Sequence, residues 1–237
     1  MITGDMKRKR DLALKKVEQA IEMHGGTTLL STGITGDDAR IALAAVQAGA
    51  RMLEPNHPAV ALARGFHGVT NMHAAEDVRH LISMEAMAEV VSGVRQVVGP
   101  NIFITVGVPG SFAEVLPTPF TEKDAMLLSQ AGADGIHTHK ITLEDLKDMV
   151  DVAHGYGLLI DAYIAHPADK HLFGIPAETP EEVCEAARKM QGLGVDMIGL
   201  MTGMSYEGLA AGEIAPPVKT RLQALIDAVQ VPTLAEG

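Results

Sequence analysis

Short apolar runs recur along the chain, at "TTLLSTGI" (27–34), "ARMLEPNH" (50–57), "NIFITVGV" (101–108), "GIHTH" (135–139), "LLIDAYI" (158–164), "DMIGLMTG" (196–203) and "VPTLAEG" (231–237). Each reads as a strand buried on both faces, the pattern of a parallel sheet. Between the runs, apolar residues return every three to four positions, as at Leu143, Leu146, Val150 and Ala153 or at Val183, Ala187 and Met190, which is helical periodicity. The starts of these helices are marked. "TEKD" at 121 and "TLED" at 142 have capping-box spacing, and "TPEE" at 179 adds proline at the first helical position. "QAGA" (47–50), "QAGAD" (130–134) and "GLGVD" (192–196) place a glycine where a helix must end before the next strand.

Seven strand-then-helix units predict a parallel sheet covered by helices. The fold that fits best is a parallel (β/α)₈ TIM barrel over residues 27–237, with a doubly wound open sheet as the alternative. Residues 1–26 are expected to be an N-terminal helical extension whose helix, over 5–24, covers the N-terminal mouth of the barrel or pairs subunits. Only seven βα units are visible, so an eighth strand is expected to be missing from this chain, its C-terminal segment lost or not included.

Composition narrows the classes. A chain of 237 residues fits one barrel domain. It is 47% hydrophobic, yet no apolar run approaches the length that spans a bilayer, and the N-terminus carries charges through Glu22 instead of a secretory apolar core. The single Cys184, in the helical pattern "PEEVCEAARKM", excludes an internal disulfide and a multi-cysteine metal site. A soluble, cytoplasmic protein without a membrane partner is expected. A formal charge of −11, 3% aromatic residues and no Trp argue against nucleic acid as a partner. A small molecule fits better, and an anionic one needs local cations and backbone N–H groups to overcome the overall field. Self-association into a homo-oligomer is also expected.

The segments "AGADGIHTH", "GLGVDMIGLMTG" and "VPTLAEG" resemble the phosphate-binding TIM barrels of sugar-phosphate metabolism. These include the N-acylmannosamine-6-phosphate epimerases, the hexulose-phosphate synthases and the histidine-biosynthesis isomerase and cyclase barrels. The resemblance covers the rhythm of residues 120–237 and implies a phosphate cradle beginning at a strand that ends like "AEGG", of which Glu236 and Gly237 are present. It singles out no one reaction. The paired aspartate-lysine motif of the hexulose-phosphate synthases is absent, since Asp161 in "LIDAYIAHPADK" is followed by a lysine only at Lys170. "DMIGLMTG" likewise lacks the Schiff-base lysine that aldolases of similar fold carry on the sixth strand.

In such a barrel the active site lies at the C-terminal ends of the strands. The polar residues there are Ser31, Thr32, Glu54, His57, Thr105, His137, His139, Lys140, Asp161, Thr202 and Glu236. His137 and His139 are two apart on a strand, so alternation gives them one face. Two imidazoles on one face divide proton transfer between acid and base, bind a divalent metal, or serve structure alone. The catalytic candidates are therefore His137, His139, Asp161 and Lys140, the last as an electrostatic anchor or an ordinary solvated lysine. Glu54, His137, His139 and Asp161 form a candidate ligand set for Mg, Mn or Zn. Thr105, Thr202, Gly203, Ser205, Glu236 and Gly237 are candidates for holding substrate or phosphate.

Three loops rich in Gly and Pro (108–120, 165–178 and 203–217) suit closure over a substrate, with Arg64, Lys170 and His171 as cations in the loops after the second and fifth runs. These residues lead first to an isomerase or epimerase that moves a proton beside a carbonyl of a small phosphorylated sugar. A metal-dependent lyase or aldolase of a small keto acid or sugar phosphate is the second reading. A catalytically inert metabolite-binding barrel is the third.

Overall fold

The computed structural model describes residues 4–23, 31–34, 39–70, 74–75, 78–108, 119–169, 172–202 and 213–236. All seven expected strands form: β1 (Ser31–Ile34), β2 (Met52–Pro55), β3 (Phe103–Gly107), β4 (Gly135–Thr138), β5 (Leu159–Ala165), β7 (Met197–Met201) and β8 (Thr233–Glu236). A two-residue strand, β6 (Ile175–Pro176), falls inside a segment expected to be loop. The described helices are α1 (Gly4–Met23), α2 (Ala39–Gln47), α3 (His57–Ala63), α4 (Met84–Val98), α5 (Glu122–Ala131), α6 (Leu143–Gly155), α7 (Pro180–Leu193) and α8 (Pro216–Ala228). None of them is long and apolar enough to cross a membrane.

The chain divides into two compact units, Met1–His137 with Asp151–Leu159, and Thr138–Val150 with Ile160–Gly237. In the first, β1 to β4 pair in chain order, all parallel, with Thr32 opposite Leu53, Leu53 opposite Ile104 and Gly107 opposite His137. Met52, Leu53, Phe103, Ile104 and Ile136 are fully buried there. α1 belongs to this unit. Its Lys9 Nζ donates to the Ser129 carbonyl (3.0 Å) and hydroxyl (2.6 Å) at the end of α5, and its Lys16 Nζ pairs with Asp134 at 2.7 Å, just before β4. The helix thus lies at the N-terminal side of these strands. Burial lowers the pKa of both lysines, with Asp134 opposing the shift.

In the second unit β7 lies between β5 and β8, all parallel, with β6 paired to β5 on the other side. The register sets Asp161 opposite Met197, Tyr163 opposite both Gly199 and, one strand further, Leu234, and Met201 opposite Glu236.

The helix boundaries follow local chemistry. Thr121 with Asp124 and Thr179 with Glu182 close complete capping boxes, and Thr142 Oγ1 accepts the Asp145 N–H. The N–H groups of Thr179 and Glu178 hold the Glu182 carboxylate below its ordinary pKa. Gly132 and Gly194 end α5 and α7 with φ of +100° and +97°, a region that glycine enters without steric cost.

The aspartate two residues after each glycine has a second task. Asp134 Oδ2 accepts the N–H of Ile104 at 3.0 Å and Asp134 N donates to the Ile104 carbonyl, while Asp196 does the same to Ile160 at 2.9 Å. A strand-edge N–H that would otherwise be buried without a partner is satisfied in each unit. The "GAD" and "GVD" repeats therefore end a helix and also clamp the foot of the neighbouring strand.

The second apolar run departs from expectation at its end. The strand stops at Pro55, Asn56 makes one isolated bridge to Gly107, and the Asn56 side chain accepts the Ala59 N–H at 2.9 Å as the N-cap of α3. His57 is thus a helix-start residue, placed there by the capping asparagine and Pro58.

Among the described residues, one buried hydroxyl is left unsatisfied. Thr138 is fully buried in β4 and its hydroxyl has no hydrogen-bond partner among the described residues. Hiding such a group costs about 1–3 kcal/mol. Thr138→Val keeps the branched shape and removes the hydroxyl, so it is expected to stabilise the fold by about 1 kcal/mol, read as a higher urea midpoint at unchanged slope. A lower midpoint would show that the hydroxyl is bonded after all.

Candidate active site

Each unit carries one histidine–carboxylate pair at the C-terminal ends of its strands. In the first unit Glu54, at the end of β2, lies 3.7 Å from His137 Nε2 on β4. Both residues are nearly buried. Asn56 Nδ2 donates to the same Glu54 oxygen at 3.1 Å. Gly107 makes this approach possible, because a Cβ there would fall 2.6 Å from Asn56 Cβ and 3.4 Å from Glu54 Oε1. His57, fully buried, has Nδ1 3.3 Å from the Gly107 carbonyl, to which only a protonated ring nitrogen can donate. Thr105 is fully buried in β3, opposite Gly135.

In the second unit His139 follows β4 directly and is 2% exposed. Its Nδ1 lies 2.9 Å from the Phe173 carbonyl, and since a carbonyl oxygen only accepts, Nδ1 carries a proton. That fixes the ring, and its other nitrogen, Nε2, faces Glu236 Oε1 at 3.8 Å. The imidazole packs on two aromatic rings, Tyr163 with centroids 4.9 Å apart and Phe173 at 5.6 Å. Glu236 is held by its backbone. Thr202 donates to the Glu236 carbonyl through both its N–H (2.6 Å) and its hydroxyl (2.9 Å). Asp161 is buried in β5, two residues before Tyr163 and so on the same face of that strand.

Of the expected ligand set, Glu54 and His137 thus fall in one unit and His139 and Asp161 in the other. Glu236, expected to hold substrate, is the carboxylate that faces His139. Lys140 is half-buried just past β4. Gly203, Ser205 and Gly237 lie outside the described residues, as do Lys170 and His171. Cys184 in α7 is half-buried and its thiol donates to the Ala224 carbonyl of α8, a packing role. Sequence reading missed Asn56, Tyr163 and Phe173. Tyr163 had a signal, since in "LIDAYIA" alternation puts it on the face of Asp161; the Phe173 carbonyl had none.

No family model and no curated protein matches this chain. Solved structures do resemble it. It is similar over 94% of its length to 71% of 2,3-dimethylmalate lyase, a member of the PEP mutase/isocitrate lyase superfamily, with a TM-score of 0.59 and 14% identity. The 3-dehydroquinate dehydratase of Geobacillus kaustophilus matches over 86% of this chain and 71% of its own, at 0.57 and 15%. A mutant tryptophan synthase α-subunit from Pyrococcus furiosus matches over 87% and 77%, at 0.61 and 12%. These are TIM-barrel-like enzymes, and the likeness shows the fold. This chain has the parallel βα fold of a TIM barrel, as its strand and helix pattern predicted.

Proposed function

We propose that the chain is an enzyme that moves a proton at a carbon beside a carbonyl, as a lyase or an isomerase of a small anionic substrate. The observation that carries this reading is the pair His139 and Glu236. The Phe173 carbonyl holds the Nδ1 proton, so Nε2 is the nitrogen that takes a proton from substrate carbon and returns it. Glu236 then stabilises the imidazolium that forms, as an opposite charge close by does. The rings of Tyr163 and Phe173 keep water from the imidazole. Buried polar groups at strand ends are where a barrel of this fold does chemistry, which argues against the inert binding barrel. The structural neighbours being a lyase, a dehydratase and a synthase subunit supports an enzyme.

The spacing within the pairs favours the lyase. At 3.7 and 3.8 Å both are too long for a hydrogen bond. Such a separation suits two ligands of one divalent cation at about 2.0–2.2 Å from each. Glu54 and His137 would hold such an ion, since His139 Nε2 is the base; the mixed imidazole and carboxylate donors suit Mn or Zn, or Mg, and the ion would supply positive charge to its oxygen ligands.

The test is solvent exchange. The protein is incubated in D₂O with a panel of 2-keto acids, hydroxy acids and sugar phosphates, with and without Mg²⁺ or Mn²⁺, and deuterium at the carbon beside the carbonyl is followed by NMR. Exchange with at least one class is expected. A folded protein that exchanges no proton in any member, with or without metal, would overturn the proposal.

A further inference from the structure

We propose that the cavity beside Thr202 in the second unit binds an oxyanion, the carboxylate or phosphate of the substrate, and that Arg221 is its principal partner. This cavity, about 520 Å³, is lined among others by His166, Asp169, Glu178, Thr202, Val218 and Arg221. Its assignment to substrate rests on the reading of His139 and Glu236 as the reacting pair. The affinity of the cavity for an oxyanion stands apart from it.

Arg221, on the second turn of α8, is only 7% exposed. One Nη donates to the Ala177 carbonyl at 2.8 Å, while Nε is buried with no hydrogen-bond partner among the described residues. No ion pair offsets its charge among the described residues, and Asp169 acts on it only through space. Burial accordingly lowers the pKa of Arg221, with Asp169 opposing. A buried guanidinium served by one carbonyl is under-compensated, and a planar oxyanion is the partner its forked donors fit.

Two further donors line the same cavity. α8 is 13 residues long, opens on Pro216 and Pro217 and has no side-chain cap, so its first N–H is that of Val218, at the positive end of the helix. His166 Nδ1 accepts the Ala168 N–H at 3.1 Å, which places the proton of the neutral ring on Nε2 as a donor. Against these stand two carboxylates. Asp169 is tied to the His166 N–H, and Glu178 is exposed. They accept hydrogen bonds, so they suit a ligand that carries hydroxyl groups beside its oxyanion, a hydroxy acid or a sugar phosphate. Thr202, which lines the cavity, also holds the Glu236 backbone, so the anion would sit next to the His139–Glu236 pair.

Calorimetric titration with inorganic phosphate and with malate tests the site, on wild type, R221Q, R221K and H139A. Saturable binding of at least one probe is expected in wild type, weakened at least tenfold in R221Q and weakened less in R221K, which keeps the charge but loses the fork. If R221Q does not fold, the R221K loss carries the test. H139A should bind like wild type while losing proton exchange. Absence of binding for both probes, or undiminished binding in the folded Arg221 variants, would overturn the site. Binding that follows Arg221 together with proton exchange that ignores His139 would keep the oxyanion site and remove the proposed function.

Discussion

Gly199→Ala is expected to destabilise the protein by about 3 kcal/mol, near the upper end of what overpacking a core costs. Gly199 sits in β7 directly opposite Tyr163 of β5, and the ring of Tyr163 occupies the space a side chain at 199 would need. An added Cβ would fall well inside contact distance of Cε1, Cδ1 and Cζ of that ring. The ring is not free to swing away, being 3% exposed and packed on His139. Urea unfolding of G199A measures the loss. The cause is checked by a double-mutant cycle, because truncating the ring in Y163A should make the added methyl nearly harmless, with a coupling of about 3 kcal/mol. Additive effects, or a wild-type midpoint in G199A, would mean that the ring does not lie where the register puts it. The displaced ring also predicts a functional effect, since His139 loses one of its packing surfaces.

His139→Ala should do the reverse. The exchange rate of substrate protons is expected to fall by roughly 10²–10⁴, the scale of a lost general acid/base. Stability should change by no more than about 1.5 kcal/mol, because what is lost is one hydrogen bond to the Phe173 carbonyl and the contacts with the Tyr163 and Phe173 rings. Measuring exchange and melting on the same sample separates the readings. A purely structural His139 would give a large loss of stability and unchanged exchange per folded molecule. E236Q on the same assay reports the carboxylate: it keeps the shape and removes the charge that stabilises the imidazolium, so exchange should fall while the fold persists. Full exchange in folded H139A would transfer the base to another group, with His137 beside Glu54 the next to test.

The two predictions also mark how far the chain could be read unaided. Its periodicities, capping boxes and helix-ending glycines decided the seven strands and the helices between them, because each of these depends on residues within one or two turns of one another. Alternation gave His137 and His139 one face as an expectation, whereas β4 ends at Thr138 and His139 follows it. The failures begin where a local signal competes with another. His57 lies in an apolar run that reads as strand, but Asn56 offers its side chain to the Ala59 N–H, and the chain turns into α3 one residue earlier.

What only the tertiary structure decided is pairing across the chain. That Glu54 meets His137, and Glu236 meets His139, follows from strand register and loop closure between segments remote in sequence, and nothing within either segment encodes the distance. Arg221 shows the same limit from the other side. In sequence it is one more cation on an amphipathic helix, indistinguishable from a solvated one. Its burial exists only once α8 docks against the Ala177 carbonyl and the guanidinium is carried out of water with it. Helices and strands are set by short-range geometry, whereas the electrostatic character of a side chain is set by how much water the rest of the fold leaves around it.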